Sequence, residues 1–252
     1  MNLIGVRTLL EKEVRRFMKV PGQTIFSPLI STSLYFLVFG FTLGGRQAEF
    51  DGLPYIVFIV PGLVFLGTAN NAFLNSSSSL FITKLQGTVV DLLVAPLGPL
   101  ELMIGFVSGA MARGLMVGIA TWGVSLLFSG FHLVHPVATL VFLLLSAYVF
   151  AMLGVLAGLW AEKFEQINFF PTFVMLPLTF LGGVFYSVQK LPEPFRTISL
   201  FNPVVHMVEG LRAGMLGLPL PTSGGMAVLL VLAVGSTALS YRLLKSGYKL
   251  KA

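Results

Sequence analysis

The chain reads as an all-α polytopic membrane protein with six crossings, on three observations. Of its 252 residues 56% are hydrophobic and only 10% charged, against roughly 25% charged in an ordinary soluble domain. The charges are missing in long tracts: no Arg, Lys, Asp or Glu occurs in 20–45, 52–83, 114–161, 166–189 or 213–241. A hydrocarbon crossing takes about 20 apolar residues. The tract 114–161 is long enough for two crossings and is divided by SGFHLVHP (129–136), a turn-like stretch with Gly, two His and Pro.

The first element is 3–19, LIGVRTLLEKEVRRFMK, in which Leu3, Val6, Leu10, Val14 and Phe17 share one arc of a helix. Arg7, Glu11, Lys12, Arg15, Arg16 and Lys19 fall on other faces. Such an amphipathic helix suits the inner membrane surface or packs on its own bundle. Pro21-Gly22 ends it. The first crossing follows at about 24–43. It is a retained helix, since no small-x-small cleavage site and no soluble domain come after it.

A second crossing at about 53–74 leads into NSSSSLFITKLQGTVVDLLVAPLGPLE (75–101), too long for a plain turn and too apolar for a free linker. A short helix over 83–93, stopped before Pro96, presents Leu85, Val89, Leu92 and Leu93 to one side, with Lys84 and Asp91 at its edges. This is a surface for docking a cytoplasmic partner, or else for packing at the membrane surface.

The third and fourth crossings lie at about 102–128 and 135–159. Arg113 sits inside the third, and an intramembrane charge is costly enough to ask for a role. It lines a substrate route, holds helices through carbonyl contacts, or reaches anionic headgroups. Glu101, 12 residues earlier, is roughly 18 Å away on a straight helix and is not its direct partner. Trp122 and Trp160, near helix ends, suit interface anchors, and AEKFEQ (161–166) is a solvated loop.

The fifth crossing, about 168–187, contains Pro171 and Pro177, each removing a helix hydrogen bond, and Gly182-Gly183. It is a moving wall of a pathway or a static kink. The segment 192–217 is too apolar for a free loop, yet Pro192, Pro194, Pro203, Glu209 and Arg212 interrupt it too often to span. It reads as an outer re-entrant hairpin of helices at 193–200 and 203–214, with Asn202 as N-cap before Pro203. His206, Glu209 and Arg212, at spacing i, i+3, i+6, form a polar stripe which, with Tyr186, belongs to the outer mouth of a pathway. The sixth crossing is about 222–242.

Small residues four apart recur at Gly40/Gly44, Gly105/Gly109, Gly114/Gly118, Gly154/Gly158 and Gly210/Gly214, a spacing that admits close helix approach. Eleven Lys and Arg fall on the side of the termini, whereas Arg46, Lys190, Arg196 and Arg212 fall on the other. This puts both termini in the cytoplasm and explains the net charge of +6 without a nucleic-acid partner. The absence of cysteine excludes disulfides, thiol nucleophiles and thiolate metal sites. No phosphate-binding loop, HExxH, GxSxG or Cys/His cluster is present, so the chain is not an enzyme and holds no cofactor or metal. Transport coupled to metabolism then needs energy from a second polypeptide or an ion gradient. No crossing carries a central Asp or Glu, which favours the external engine. An ion-coupled secondary transporter and a non-transporting scaffold are the alternatives.

DLLVAPLGPLELMIG (91–105), GAMARGLMVGI (109–119) and FLGGVFYSVQKLPEPFRTISLFNPVVHMVEGLRAGMLG (180–217) carry a resemblance that covers essentially the whole chain. It resembles the ABC-2 type integral-membrane permeases, the membrane halves of bacterial ATP-binding-cassette exporters. The resemblance implies a single transmembrane domain over 1–252 and an inner-membrane location. It also implies assembly of two copies on two cytoplasmic ABC ATPase subunits, which alone bind ATP and Mg. Lys84, Leu85, Val89, Asp91 and Leu92 would make the ATPase contact, and helices one and five of both copies would border the route. The cargo class it suggests is amphipathic, lipid-linked or glycan.

Overall fold

A computed structural model describes residues 2–44, 49–50 and 52–250, without the side chains of Leu93 and of 40–50. The amphipathic helix is α1 (Leu3–Met18), capped by Asn2, whose side chain accepts from the Gly5 N–H. A π-helical turn, Gly22–Phe26, leads into α2 (Ser27–Gly44). Two-residue antiparallel strands, β1 (Glu49–Phe50) and β2 (Leu53–Pro54), precede the short α3 (Tyr55–Phe58) and the long α4 (Val60–Leu85). Then come α5 (Val89–Val94), α6 (Pro99–Ser129), α7 (Pro136–Trp160) and α8 (Phe164–Phe170). A second π-helical turn, Pro171–Met175, joins α8 to α9 (Leu176–Phe180). The chain ends in α10 (Phe195–Leu200), α11 (Pro203–Leu216) and α12 (Ser223–Ser246).

Among the described residues five helical stretches are long and apolar enough to cross a membrane: Gly22–Phe39, Tyr55–Leu85, Pro99–Ser129, Pro136–Trp160 and Ser223–Ser246. The fifth expected crossing differs. Helix runs instead over Phe164–Phe180 and ends in a turn before Tyr186, because Gly183 takes φ +70° and Pro171 and Pro177 supply no N–H. The Ser-rich stretch after Asn75, assigned to a connection from sequence, is helix within α4. The hydroxyls of Ser76, Ser77 and Ser78 bond back to carbonyls one turn earlier, so their polarity is satisfied locally.

Helix α4 is the central post, with its Leu63, Phe65, Phe73 and Leu80 sealed inside, as are Phe58 and Ile59 just before it. Four of the five glycine pairs find their partners in the bundle, two of them on α4. Gly154 and Gly158 on α7 meet Phe73, Ser76 and Ser77 on α4; Gly114 and Gly118 on α6 meet Thr68 and Ala72 on its other side. Gly210 and Gly214 on α11 meet Phe142 and Thr139 on α7, and Gly105 and Gly109 on α6 meet Leu9 and Glu13 on α1. The surroundings of Gly40/Gly44 lie outside the described residues, as do Arg46 and Lys251 of the charge count.

The last of these pairings sets the pose of α1. Contacts advance the same way along both helices: Gly5 meets Leu97, Leu9 meets Gly105, and Glu13 meets Gly109. The helix therefore runs alongside the start of α6. Its buried column is Leu9, Glu13 and Phe17, shifted from the arc expected from sequence, and Leu3 is exposed. Glu101 fastens the start of this seam by accepting from the backbone N–H groups of Gly98 and Asn2.

Candidate functional site

Two sites follow from this frame, one at each end of the bundle. At the α1 end, helix α4 stops at Leu85, the chain turns through Gly87 at φ +71°, and α5 starts at Val89. The single helix expected over 83–93 is thus two elements, and Lys84 belongs to the first. Its ammonium group donates to the carbonyls of Gly158, Leu159 and Ala161 at 3.1, 2.7 and 2.9 Å, closing the C-terminal end of α7.

The apolar residues of α5 and of the end of α4 also divide differently from the face expected over 83–93. Val89 is buried and Leu92 packs against the main core, whereas Leu85, Val90 and Val94 stand 68%, 58% and 80% exposed. Beside this ridge is a groove of about 380 Å³ between α1, α4 and α5, lined among others by Lys12, Arg16, Ser79, Gln86, Asp91 and Leu92. The groove sets basic residues of α1 facing Asp91 of α5. Sequence reasoning named Asp91 and Leu92 but missed Val90, Val94, Lys12 and Arg16, because which residues line the groove depends on how α1 docks.

Under the groove lies a buried polar network. Glu13 is 0% exposed; its carboxylate accepts from Ser79 Oγ at 2.6 Å and from Arg16 Nη2 at 3.1 Å. Arg16 Nη2 also donates to the carbonyl and side-chain oxygens of Asn75, at 3.1 and 2.9 Å. These bonds tie α1 to α4 where Gly109 lets α1 approach α6. Arg113, one turn beyond Gly109, is partly buried and has neither hydrogen bond nor ion pair among the described residues.

At the opposite end α10 and α11 form a helical hairpin. Asn202 caps α11, accepting from the Val204 N–H at 2.9 Å, and its amide donates to the Leu178 carbonyl of α9 at 2.6 Å. The hairpin tip is deep: Phe201 and Pro203 share a cavity of about 680 Å³ with Leu153 and Leu156, in the second half of α7, and with α12. The stripe expected from sequence is divided by burial. Arg212 is buried and turned inward, donating to the carbonyls of Gly183 at 2.7 Å and Val184 at 3.3 Å, with its guanidinium 3.8 Å from the Phe58 ring centre. Tyr55 donates to the Phe185 carbonyl at 3.0 Å, so α11 and α3 together hold the turn after α9. Tyr186 sits partly buried at the end of that turn; Pro171 is partly buried and Pro177 exposed on the Phe164–Phe180 run.

His206 Nε2 lies 2.8 Å from the Leu200 carbonyl, and Nδ1 lies 3.6 Å from Glu209 Oε2. The Glu209 carboxylate holds the imidazolium above its ordinary value of 6.5, against the opposing effect of burial. A raised folded-state value means that the pair's stabilisation is complete below 6.5 and is lost as pH rises through the raised value. The apparent melting temperature is therefore expected to fall as pH rises above about 6.5 and through the raised value, and Glu209→Gln to flatten that dependence. A slope unchanged in Glu209→Gln would show that the pair does not produce it. Glu209 and Arg212 also line an outer cavity of about 390 Å³, with Ser187, Gln189 and Thr222.

Among the described residues no group of three His, Asp or Glu is placed to hold a metal. The chain matches the family model described as ABC-2 type transporter over residues 5–216. It is 40% identical over 233 residues to the Escherichia coli protein named inner membrane transport permease YadH, covering 91% of each chain. It is also 27% identical over 198 residues to nodulation protein J of Sinorhizobium fredii, covering 78% of this chain and 74% of that one. With the Rhizobium meliloti protein of the same name it shares 25% over 203 residues, 80% of this chain and 78% of the other. A helical bundle with several membrane-length helices, an N-terminal amphipathic helix and a match of this extent lead to one conclusion: the chain belongs to the ABC-2 type transporter family, as the permease subunit of an exporter.

Proposed function

We propose that this permease works as a homodimer on two cytoplasmic ABC ATPase subunits, in the bacterial inner membrane, with the α5 ridge and the groove beside it as the ATPase seat. The observation that carries the reading is the ridge itself. Leu85, Val90 and Val94 stand exposed beside a groove whose walls bring Lys12 and Arg16 up to Asp91. Apolar anchors with a charged rim are what a protein partner needs. The charge distribution supports a cytoplasmic position for this end and both termini. ATP and Mg then bind to the partner alone, and closure of the ATPases moves α5 and α1 together, because Glu13, Arg16, Asn75 and Ser79 join α1 to the helix that leads into α5.

The fifth crossing in chain order, which completes a set of six, is the Phe164–Phe180 run continued by the turn up to Tyr186. Seven, five and five residues of helix span about 25 Å, slightly short of the hydrocarbon thickness. The re-entrant character of 192–217 is supported by its deep tip and by the carbonyl contacts of Arg212, which satisfy backbone that forms no helix. The faces left apolar on α2 (Ile30, Leu34, Leu37) and along α8 and α9 (Phe169, Phe173, Phe180) meet the second copy and border the route. At the end of that route Tyr35, Phe39, Phe180 and Phe185 cluster with ring centres 5.2 to 6.3 Å apart. An amphipathic or lipid-linked cargo, glycans included, suits such a wall.

Proteoliposomes decide between this and an ion-coupled carrier. Export that needs ATP and the added ATPase supports the proposal; gradient-driven transport by the permease alone overturns it. Charge on the ridge tests the seat. Leu85→Glu with Val90→Glu is expected to lower co-purification of the ATPase by about tenfold or more, each buried aliphatic side chain being worth about 1.5–3 kcal/mol. Undiminished association, with unchanged thermal unfolding of the permease, would show that the ATPase binds elsewhere.

A further inference from the structure

The membrane-proximal end of α1 carries positive charge that is not fully neutralised among the described residues. Arg7 and Arg15 share Glu11 at 2.9 and 3.8 Å, and Arg16 pairs with Glu13 at 3.1 Å. Among the described residues Lys12, Lys19 and Arg113 form no ion pair. Lys12, Arg15, Arg16 and Lys19 wall an open pocket of about 480 Å³ with Thr8 and Glu11. The register that sets Leu9 on Gly105 and Glu13 on Gly109 brings Arg113, one turn on, level with Phe17. There it is close enough to Arg16 for the two guanidinium groups to repel. The Nε atoms of both are sealed from solvent and have no acceptor.

Two guanidinium groups with unsatisfied Nε donors, level with each other on the α1–α6 seam and partly desolvated, ask for an anion with several acceptor oxygens. The height of the cluster says which kind. Lys19 is three residues before the membrane-length stretch Gly22–Phe39, and Arg113 is 14 residues into α6. The cluster is therefore level with lipid headgroups, while the α5 ridge lies farther out along α4. We infer that the seam between the C-terminal end of α1 and α6 is a phosphate site. Arg16 and Arg113 form it, Lys12, Arg15 and Lys19 surround it, and it takes the phosphodiester headgroup of an anionic lipid of the inner leaflet. The site depends on the proposed function only in the side of the membrane it faces; it needs no ATPase and no cargo.

The test uses the full chain in detergent, offered phosphatidylglycerol, phosphatidylcholine or inorganic phosphate, with lipid retention read by native mass spectrometry and folding by thermal unfolding. Wild type is expected to retain phosphatidylglycerol over phosphatidylcholine. Arg113→Gln is expected to weaken that retention roughly five- to tenfold, the effect of removing one well-placed cation near an anionic headgroup. Arg113→Lys should keep part of it, and Lys245→Gln, at the far exposed end of α12, all of it. Should Arg113→Gln fail to fold, the exposed pair Lys12→Gln with Lys19→Gln must weaken retention in its place. Protection by inorganic phosphate equal to that by phosphatidylglycerol would overturn the lipid assignment in favour of a soluble phosphate. Equal retention of both lipids, or phosphatidylglycerol retention unchanged in folded Arg113→Gln, would overturn the site itself. So would a defect of Arg113→Gln confined to ATPase association.

Discussion

Glu13→Ala is expected to detach α1 from the bundle and to cost about 3 kcal/mol, the lower end of the cost of breaking a buried ion pair. The low end applies because Arg16 keeps 29% side-chain exposure and retains its two Asn75 acceptors. The loss has three parts: Arg16 stays half inside without its counter-charge, Ser79 Oγ loses its carboxylate partner, and a void opens over Gly109, which has no side chain to fill it. Thermal unfolding of the purified permease measures the cost. Limited proteolysis reads the detachment, since the basic residues of α1 become cleavable once the helix leaves α6. Glu13→Gln separates charge from shape: it keeps an acceptor for Ser79 and fills the space, and should recover the packing but not the ion pair. An α1 as resistant to protease in Glu13→Ala as in wild type would mean that Leu9 and Phe17 alone hold the helix.

The second large effect is at the α4–α7 contact. A Cβ on Gly154 would stand 2.1 Å from Ser76 Oγ and 2.4 Å from the Phe73 carbonyl oxygen. The hydroxyl can rotate away, but the carbonyl belongs to the backbone of the central helix and cannot. Ser76 is moreover held there by its bond to the Ala151 carbonyl at 2.8 Å. Gly154→Val should therefore force the two helices apart, at about 3 kcal/mol or more, and break that bond as well. Gly235→Ala is the control, because nothing lies within 4 Å of its added carbon. Folded yield and unfolding temperature should fall sharply for the first and stay near wild type for the second. Equal tolerance of both would mean that α4 and α7 do not meet as closely as the structure places them.

Both effects are at positions whose type was legible in the sequence and whose partners were not. The spacing of Gly105/Gly109 and Gly154/Gly158 marks a helix face fit for close approach, but every helix in a bundle presents such a face to several neighbours. That the first pair receives α1 and the second α4 follows from packing of the whole. Glu13 shows the same limit from the other side. On a helical wheel it is one more charge on an amphipathic helix; only the arrival of Ser79 and Asn75 from α4 makes the inward face the cheaper place for it.

The sequence places Lys84 and Val89 on or beside a docking face and Arg212 in the polar stripe of an outer mouth. Each turned inward where it found acceptors or apolar cover: the end of α7 for Lys84, the core for Val89, and the Gly183 turn and Phe58 ring for Arg212. A buried donor with a satisfied bond costs far less than one without, and a linear sequence does not reveal where the acceptors will be.

The all-helical membrane class, the long apolar helices and the amphipathic start were readable from residue order alone. They depend on local quantities: the length of a charge-free run, the spacing of apolar residues, the positions of Pro and Gly. The seat of α1, the partners of the glycine faces and the inward turns of Lys84 and Arg212 were decided by tertiary contacts. Each is a competition between groups distant in the chain for the same buried space and the same hydrogen-bond acceptors, and its outcome exists only once the helices are packed.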